Sequence, residues 1–151
     1  MKRLALILAL LAAPVFAAAP DDDRVAARSA ALDMAGAWSN DGFKLRDGFW
    51  SDTLKPGESK IVQVNLYAGN QYWFTLAASN KAKKIAVSVY DETGKPVPGE
   101  RLASEPVPAD AAPARIRAAA GFAPVTSGPY LVKVDLLEGD PCAFALIYSF
   151  K

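Results

Sequence analysis

From residue 48 onward, large apolar side chains recur at every second position. That period belongs to strands with one face in a core. In KIVQVNLYAGNQYWFTLAAS, residues 60–79, Val62, Val64 and Leu66 share one face, and Tyr72, Phe74 and Leu76 share one face beyond the turn. Both sets must point inward, and a one-residue slip would turn a whole strand inside out. Joined as a hairpin, the two runs need an odd loop. A three-residue loop, Ala68-Gly69-Asn70, pairs Leu66 with Tyr72, Val64 with Phe74 and Val62 with Leu76. Gly69 supplies the left-handed backbone such a loop requires.

The alternation recurs along the chain. Ile85, Val87 and Val89 point inward before a turn at Glu92-Thr93-Gly94. Ile116, Ala118, Ala120 and Phe122 follow, with Arg115 and Arg117 outward. Then come Tyr130, Val132, Val134 and Leu136, with Lys133 and Asp135 outward, and finally Cys142, Phe144, Leu146, Tyr148 and Phe150. An earlier strand falls at GFWSDTL, residues 48–54. Seven to eight short strands separated by turns predict an all-β fold, an antiparallel, jelly-roll-like β-sandwich over residues 48–151. Residues 95–114 hold five prolines, which cannot donate to a sheet ladder. That segment is expected to be a long, mobile loop containing at most a short edge strand.

Ahead of the sandwich, residues 18–47 read as a leader, either with a short helix packed loosely on the domain or mobile. DDDRVAARSAALDMAGAW opens on three aspartates and has Gly36 near its end, which is helix punctuation, but its apolar stripe is thin: Val25, Leu32 and alanines. Nothing reads as a long helix. Residues 1–17 have the form of a secretory signal peptide: Lys2 and Arg3, an apolar run Leu4–Ala13, and Val15 and Ala17 at the cleavage-site positions. The run is too short for a comfortable span of about 20 residues. The expected address is the bacterial periplasm or the exterior, with no membrane span after signal removal.

Charge narrows the partners. The chain carries 17 Lys+Arg and 16 Asp+Glu, and loss of Lys2 and Arg3 with the signal leaves a slight acidic excess. Such a balance has no electrostatic footprint for nucleic acid, and KAKK at 81–84 reads as a solvated turn. The single cysteine, Cys142, cannot form an internal disulfide and reads as a small buried residue. The expected state is a monomer held together by its core alone.

The order of four segments suggests a family. LKPGESKIVQVNLYAGNQYWFTLAAS, followed by KIAVSVYDETGKPV, leads into GFAPVTSGPYLVKV and a closing strand AFALIYSF. This order resembles the bacterial pre-peptidase C-terminal domain, a secreted β-sandwich often attached to extracellular peptidases, across roughly residues 48–150. Gly69 and Gly128 would permit tight turns, and Tyr72 and Tyr130 would place rings in the core with hydroxyls near the rim. Relatives usually sit beside a catalytic domain, whereas here the sandwich fills nearly all of the chain that follows the signal. Calcium-holding relatives use acidic residues, but Asp21–Asp23 and Asp91-Glu92 lack the spacing of a calcium loop.

Chemistry is sparse. The chain has no histidine and one cysteine, which removes Ser-His-Asp and Cys-His machinery and the usual zinc ligand sets. No phosphate loop is present, and no catalytic residue, metal site or cofactor is expected. Binding is the better reading. In the hairpin pairing, Gln63, Asn65, Gln71, Trp73 and Thr75 form one outward face on which an indole beside amides could stack a sugar or a peptide side chain. The competing reading places Trp73 under the N-terminal helix or the proline loop, with Trp38 and Trp50 stapling the leader to the sandwich. The expected function is therefore a non-catalytic envelope module that binds or supports a protein or glycan partner. The alternatives are an envelope carbohydrate-active hydrolase using paired carboxylates and a purely structural envelope protein.

Overall fold

The computed structural model describes residues 20–106 and 115–151. The signal peptide expected at 1–17, and the part of the proline-rich loop at 107–114, lie outside the described residues. One helix, α1 (Pro20–Ser39), precedes nine strands: β1 (Lys44–Leu45), β2 (Trp50–Leu54), β3 (Ser59–Leu66), β4 (Tyr72–Ser79), β5 (Ala82–Asp91), β6 (Glu100–Pro106), β7 (Arg115–Phe122), β8 (Gly128–Gly139) and β9 (Cys142–Phe150). No helix among the described residues is long and apolar enough to cross a membrane.

The strands form two antiparallel sheets. One runs β2–β9–β4–β7–β6, with β1 extending the β2 edge along β9; the other runs β3–β8–β5. From β2 to β5, and again from β7 to β9, each successive strand lies in the opposite sheet. This is the all-β sandwich the alternation predicted, with jelly-roll-like connectivity.

The expected hairpin, however, is not formed. β3 pairs with β8, placing Val64 opposite Tyr130 and Asn65 opposite Pro129. β4 lies between β7 and β9, with Trp73 opposite Gly121 and Ser149. Residues 67–71 are thus an arch between sheets, with Gly69 at φ 90°. The inward sets do point into one core, but toward each other from facing sheets. Facing sheets satisfy the same inward pattern as a hairpin, so the pattern alone did not choose between them.

That core holds Leu54, Leu66, Phe74, Leu76, Val132, Val134, Leu136 and Leu146, all at most 1% exposed. Each such side chain stabilises the fold by about 1.5–3 kcal/mol. Cys142 is buried among them as expected. β6 is the edge strand that the proline-rich segment allowed, ending at Pro106.

The N-terminal segment differs from expectation. Helix α1 has 20 residues and lies across β4 and β9 on the outer face of the larger sheet, making a third layer. Of the expected stripe the alanines are buried, Ala27, Ala30, Ala31 and Ala35, followed by Trp38, whereas Val25 and Leu32 are 66% and 38% exposed. That spacing is one helical face. These alanines meet Ala77, Ala145 and Ile147. Small groups on both sides allow close approach and dense packing. At the N-terminal end Lys81 Nζ donates to Asp23 Oδ2 at 2.6 Å, so one lysine of the KAKK turn clasps the helix. At the other end the helix runs past Gly36 to Ser39 and is closed by a turn at Gly42 (φ 85°), where Gly42 N donates to Ser39 O and Phe43 N to Trp38 O.

Candidate functional site

Three connections meet at one end of the sandwich: residues 67–71, 91–99 and 122–129. Each is fixed by its own chemistry. Tyr72 is buried, and its hydroxyl accepts from Tyr67 N at 2.9 Å and Asn70 Nδ2 at 3.1 Å, closing the first. Tyr130 donates to Thr126 O at 2.7 Å, closing the third. Ala68 N donates to Ser127 Oγ at 2.9 Å and ties the two together. Both tyrosines therefore have ring in the core and hydroxyl at the rim.

The middle connection is an Asx turn. Asp91 Oδ1 accepts from Thr93 N at 2.9 Å, Thr93 Oγ1 at 2.6 Å and Lys95 N at 2.9 Å. Thr93 first, and then Lys95, hold this carboxyl below its ordinary range. Past the turn the chain starts back along β5, with Val97 N donating to Val89 O at 3.1 Å. It then leaves that sheet at Pro98-Gly99 to enter β6 on the other. Gly99 lies so close to the carbonyl of Gly121 that no Cβ would fit. The crossing needs glycine there.

These loops wall two adjoining clefts. One, of about 440 Å3, is lined by Asp91, Glu92, Val97, Phe122, Val125 and Pro129 among others. The second, of about 410 Å3, is lined by Phe43, Gln71, Trp73, Gly99, Glu100 and Gly121 among others. Pro98, Phe122 and Ala123 line both. Each has the size of a small-ligand site. Phe122 meets Tyr130 edge-on, with centroids 5.1 Å apart, and Val125 is 94% exposed.

The five residues expected to share one face are divided. Gln63 and Asn65 are exposed on the outer face of β3, in the smaller sheet. Trp73 and Thr75 lie on the outer face of β4, toward α1. Thr75 is fully buried, and Trp38 Nε1 donates to its hydroxyl at 3.3 Å. Trp73 is half-buried and stacks on Trp38, with centroids 4.3 Å apart and planes 4° from parallel. Its six-membered ring abuts Gly121, where a Cβ would come within 3.0 Å of Trp73 Cη2. Trp73 thus packs under the helix, and Trp38 is the staple. Trp50 instead belongs to β2 and stacks on Tyr148 at 5.8 Å. Of the five, only Trp73 and Gln71 come together at the cleft. Sequence reading missed Pro98, Phe122, Val125 and Glu100; the signal for them was the Pro-Gly pair at 98–99 and the apolar, solvent-bound stretch FAPV at 122–125.

Among the described residues no group of three or more acidic, Cys or His side chains is arranged to hold a metal. Fold and site together define a helix-backed antiparallel β-sandwich with a loop-walled cleft at one end. The chain matches no family model and no curated protein sequence.

Proposed function

We propose that the chain is a non-catalytic, secreted or periplasmic β-sandwich module that binds a protein or glycan partner of the cell envelope in the end cleft. The observation that carries this reading is the cleft itself: paired cavities of ligand size, walled by three loops on a rigid scaffold, with an exposed valine at the lip. Binding sites favour such loops because the scaffold fixes them while their sequence remains free. The basic start and apolar run of residues 1–17 support the address. The paired Gly–Tyr turns at 69–72 and 128–130, each closed by a tyrosine hydroxyl, support kinship with the pre-peptidase C-terminal sandwich. The Asp91 carboxylate serves its own turn, which favours binding over hydrolysis.

The test is capture of partners from envelope extract, and from a glycan array, by immobilised protein. Wild type is expected to retain a partner that Val125→Asp loses, with the two proteins giving the same circular dichroism. Equal capture by both would sink the cleft reading. Turnover of a polymeric glycan, lost on substitution of one carboxylate, would replace it with the hydrolase reading.

A further inference from the structure

We propose that the occupant of the end cleft is an extended peptide segment with basic side chains spaced by apolar ones; this rests on the binding reading above and names the class of partner. Charge is the first reason. The charged residues lining the two clefts are Asp91 and Glu92 in one and Glu100 in the other, and no Lys or Arg lines either. Lys95, in the Asp91 turn but outside the lining, offsets part of that charge, and the lining itself, of one sign, selects the opposite sign. The turn bonds to Asp91 Oδ1 keep that carboxylate ionised, and none of them uses Oδ2. At the second rim Lys151 Nζ sits 4.5 Å from the Phe43 ring centroid and donates to Asp41 O at 3.1 Å. A positive group over an aromatic ring is thus already accommodated at that rim.

Shape is the second reason. The carboxylates stand in different clefts, and the shared wall between them is Pro98, Phe122 and Ala123. An occupant that reaches both must be elongated and apolar in its middle. A peptide of alternating character meets that requirement.

The aromatic arrangement argues against a sugar. Stacking a sugar needs an open ring face; Trp73 lies between Trp38 and Gly121, which leaves Phe122 alone, already met on one side by Tyr130.

The test uses three fluorescent probe sets: short mixed peptides carrying two fixed lysines among otherwise uncharged residues, the same with two fixed glutamates, and neutral oligosaccharides. Anisotropy is read with wild type, Glu92→Lys/Glu100→Lys and the neutral Val125→Asn, all at exposed positions, with circular dichroism as the folding control. The lysine set is expected to bind, to weaken as salt rises, and to weaken about tenfold in the double charge reversal, equivalent to about 1.4 kcal/mol. Preference for the glutamate or sugar set, with binding lost in Val125→Asn, would overturn the basic-peptide proposal and leave the cleft as the site. Lysine peptides that bind all three proteins equally, or no set that binds at all, would overturn both.

Discussion

The two sheets bury the same kind of inner face and differ in what they turn outward. On β4 and β9 the outward positions hold Thr75, Ala77, Ser79, Ala143, Ala145, Ile147 and Ser149, all buried beneath or beside α1. On β3 and β8 they hold Gln63, Asn65, Lys133 and Asp135, with Ile61 63% exposed and Leu137 48% exposed. There Lys133 pairs with Asp135 at 3.0 Å, and Ser59 donates to the same carboxylate. The difference shows what decides whether a sheet receives a third layer. Small uncharged groups let a helix approach, whereas charges cannot be covered without a large desolvation cost. With one face closed by the helix, concave surface is left at the end and on the open face, where a smaller pocket of about 230 Å3 is lined by Ile61, Tyr90, Gly94, Leu131 and Lys133; the two larger clefts are at the end.

The contrast can be broken most severely by charge. Ala31→Asp, in the buried helix stripe, is expected to cost about 3–5 kcal/mol in urea unfolding. Gln63→Asp on the open face should stay within about 0.5 kcal/mol. Similar losses at the two sites would erase the distinction. Volume gives the next largest effect: Ala77→Leu overpacks the helix–sheet contact and should cost about 1–3 kcal/mol, while Asn65→Leu should cost little. A smaller effect has the opposite sign. Ser79 Oγ is the buried side-chain polar atom without a hydrogen-bond partner among the described residues. Ser79→Ala should therefore stabilise by about 1 kcal/mol, and a loss of stability would mean that the hydroxyl is satisfied.

The inner layer offers a test that is silent at neutral pH. Burial pushes the Cys142 thiol from 9.0 up to about 11. A folded pKa above the unfolded one means that the folded state holds the proton more tightly. Its contribution is complete below the unfolded value and declines as pH rises from 9.0 toward 11. Native protein at pH 8 should resist iodoacetamide and react only after unfolding; rapid native alkylation would show an open inner layer.

Much of the sandwich was legible because period-two alternation is a direct record of which side faces the core. Tyr72 and Tyr130 were legible as core rings with rim hydroxyls for the same reason. What alternation does not record is which sheet a strand joins, so Val64 and Phe74 satisfied a hairpin on paper and an arch in the molecule. The third layer left a fainter trace. YWFTLAAS and CAFALIYSF carry no charge on either face, the mark of strands covered on both sides. The helix that covers them is lined with alanine, which contributes little apolar signal, so Val25 and Leu32 drew attention to the wrong side. The cleft was least legible. It depends on Gly99 passing against the Gly121 carbonyl, a contact between segments far apart in the chain.

Backbone amide hydrogen exchange across α1 tests most directly whether that face is closed. If the helix is an integral layer, Ala30, Ala31 and Ala35 should exchange as slowly as Phe74 and Leu146, by the same global opening. Exchange in the helix many-fold faster than in β4 and β9 would contradict this. It would make α1 a detachable cover and return the Trp73 face to the list of binding surfaces.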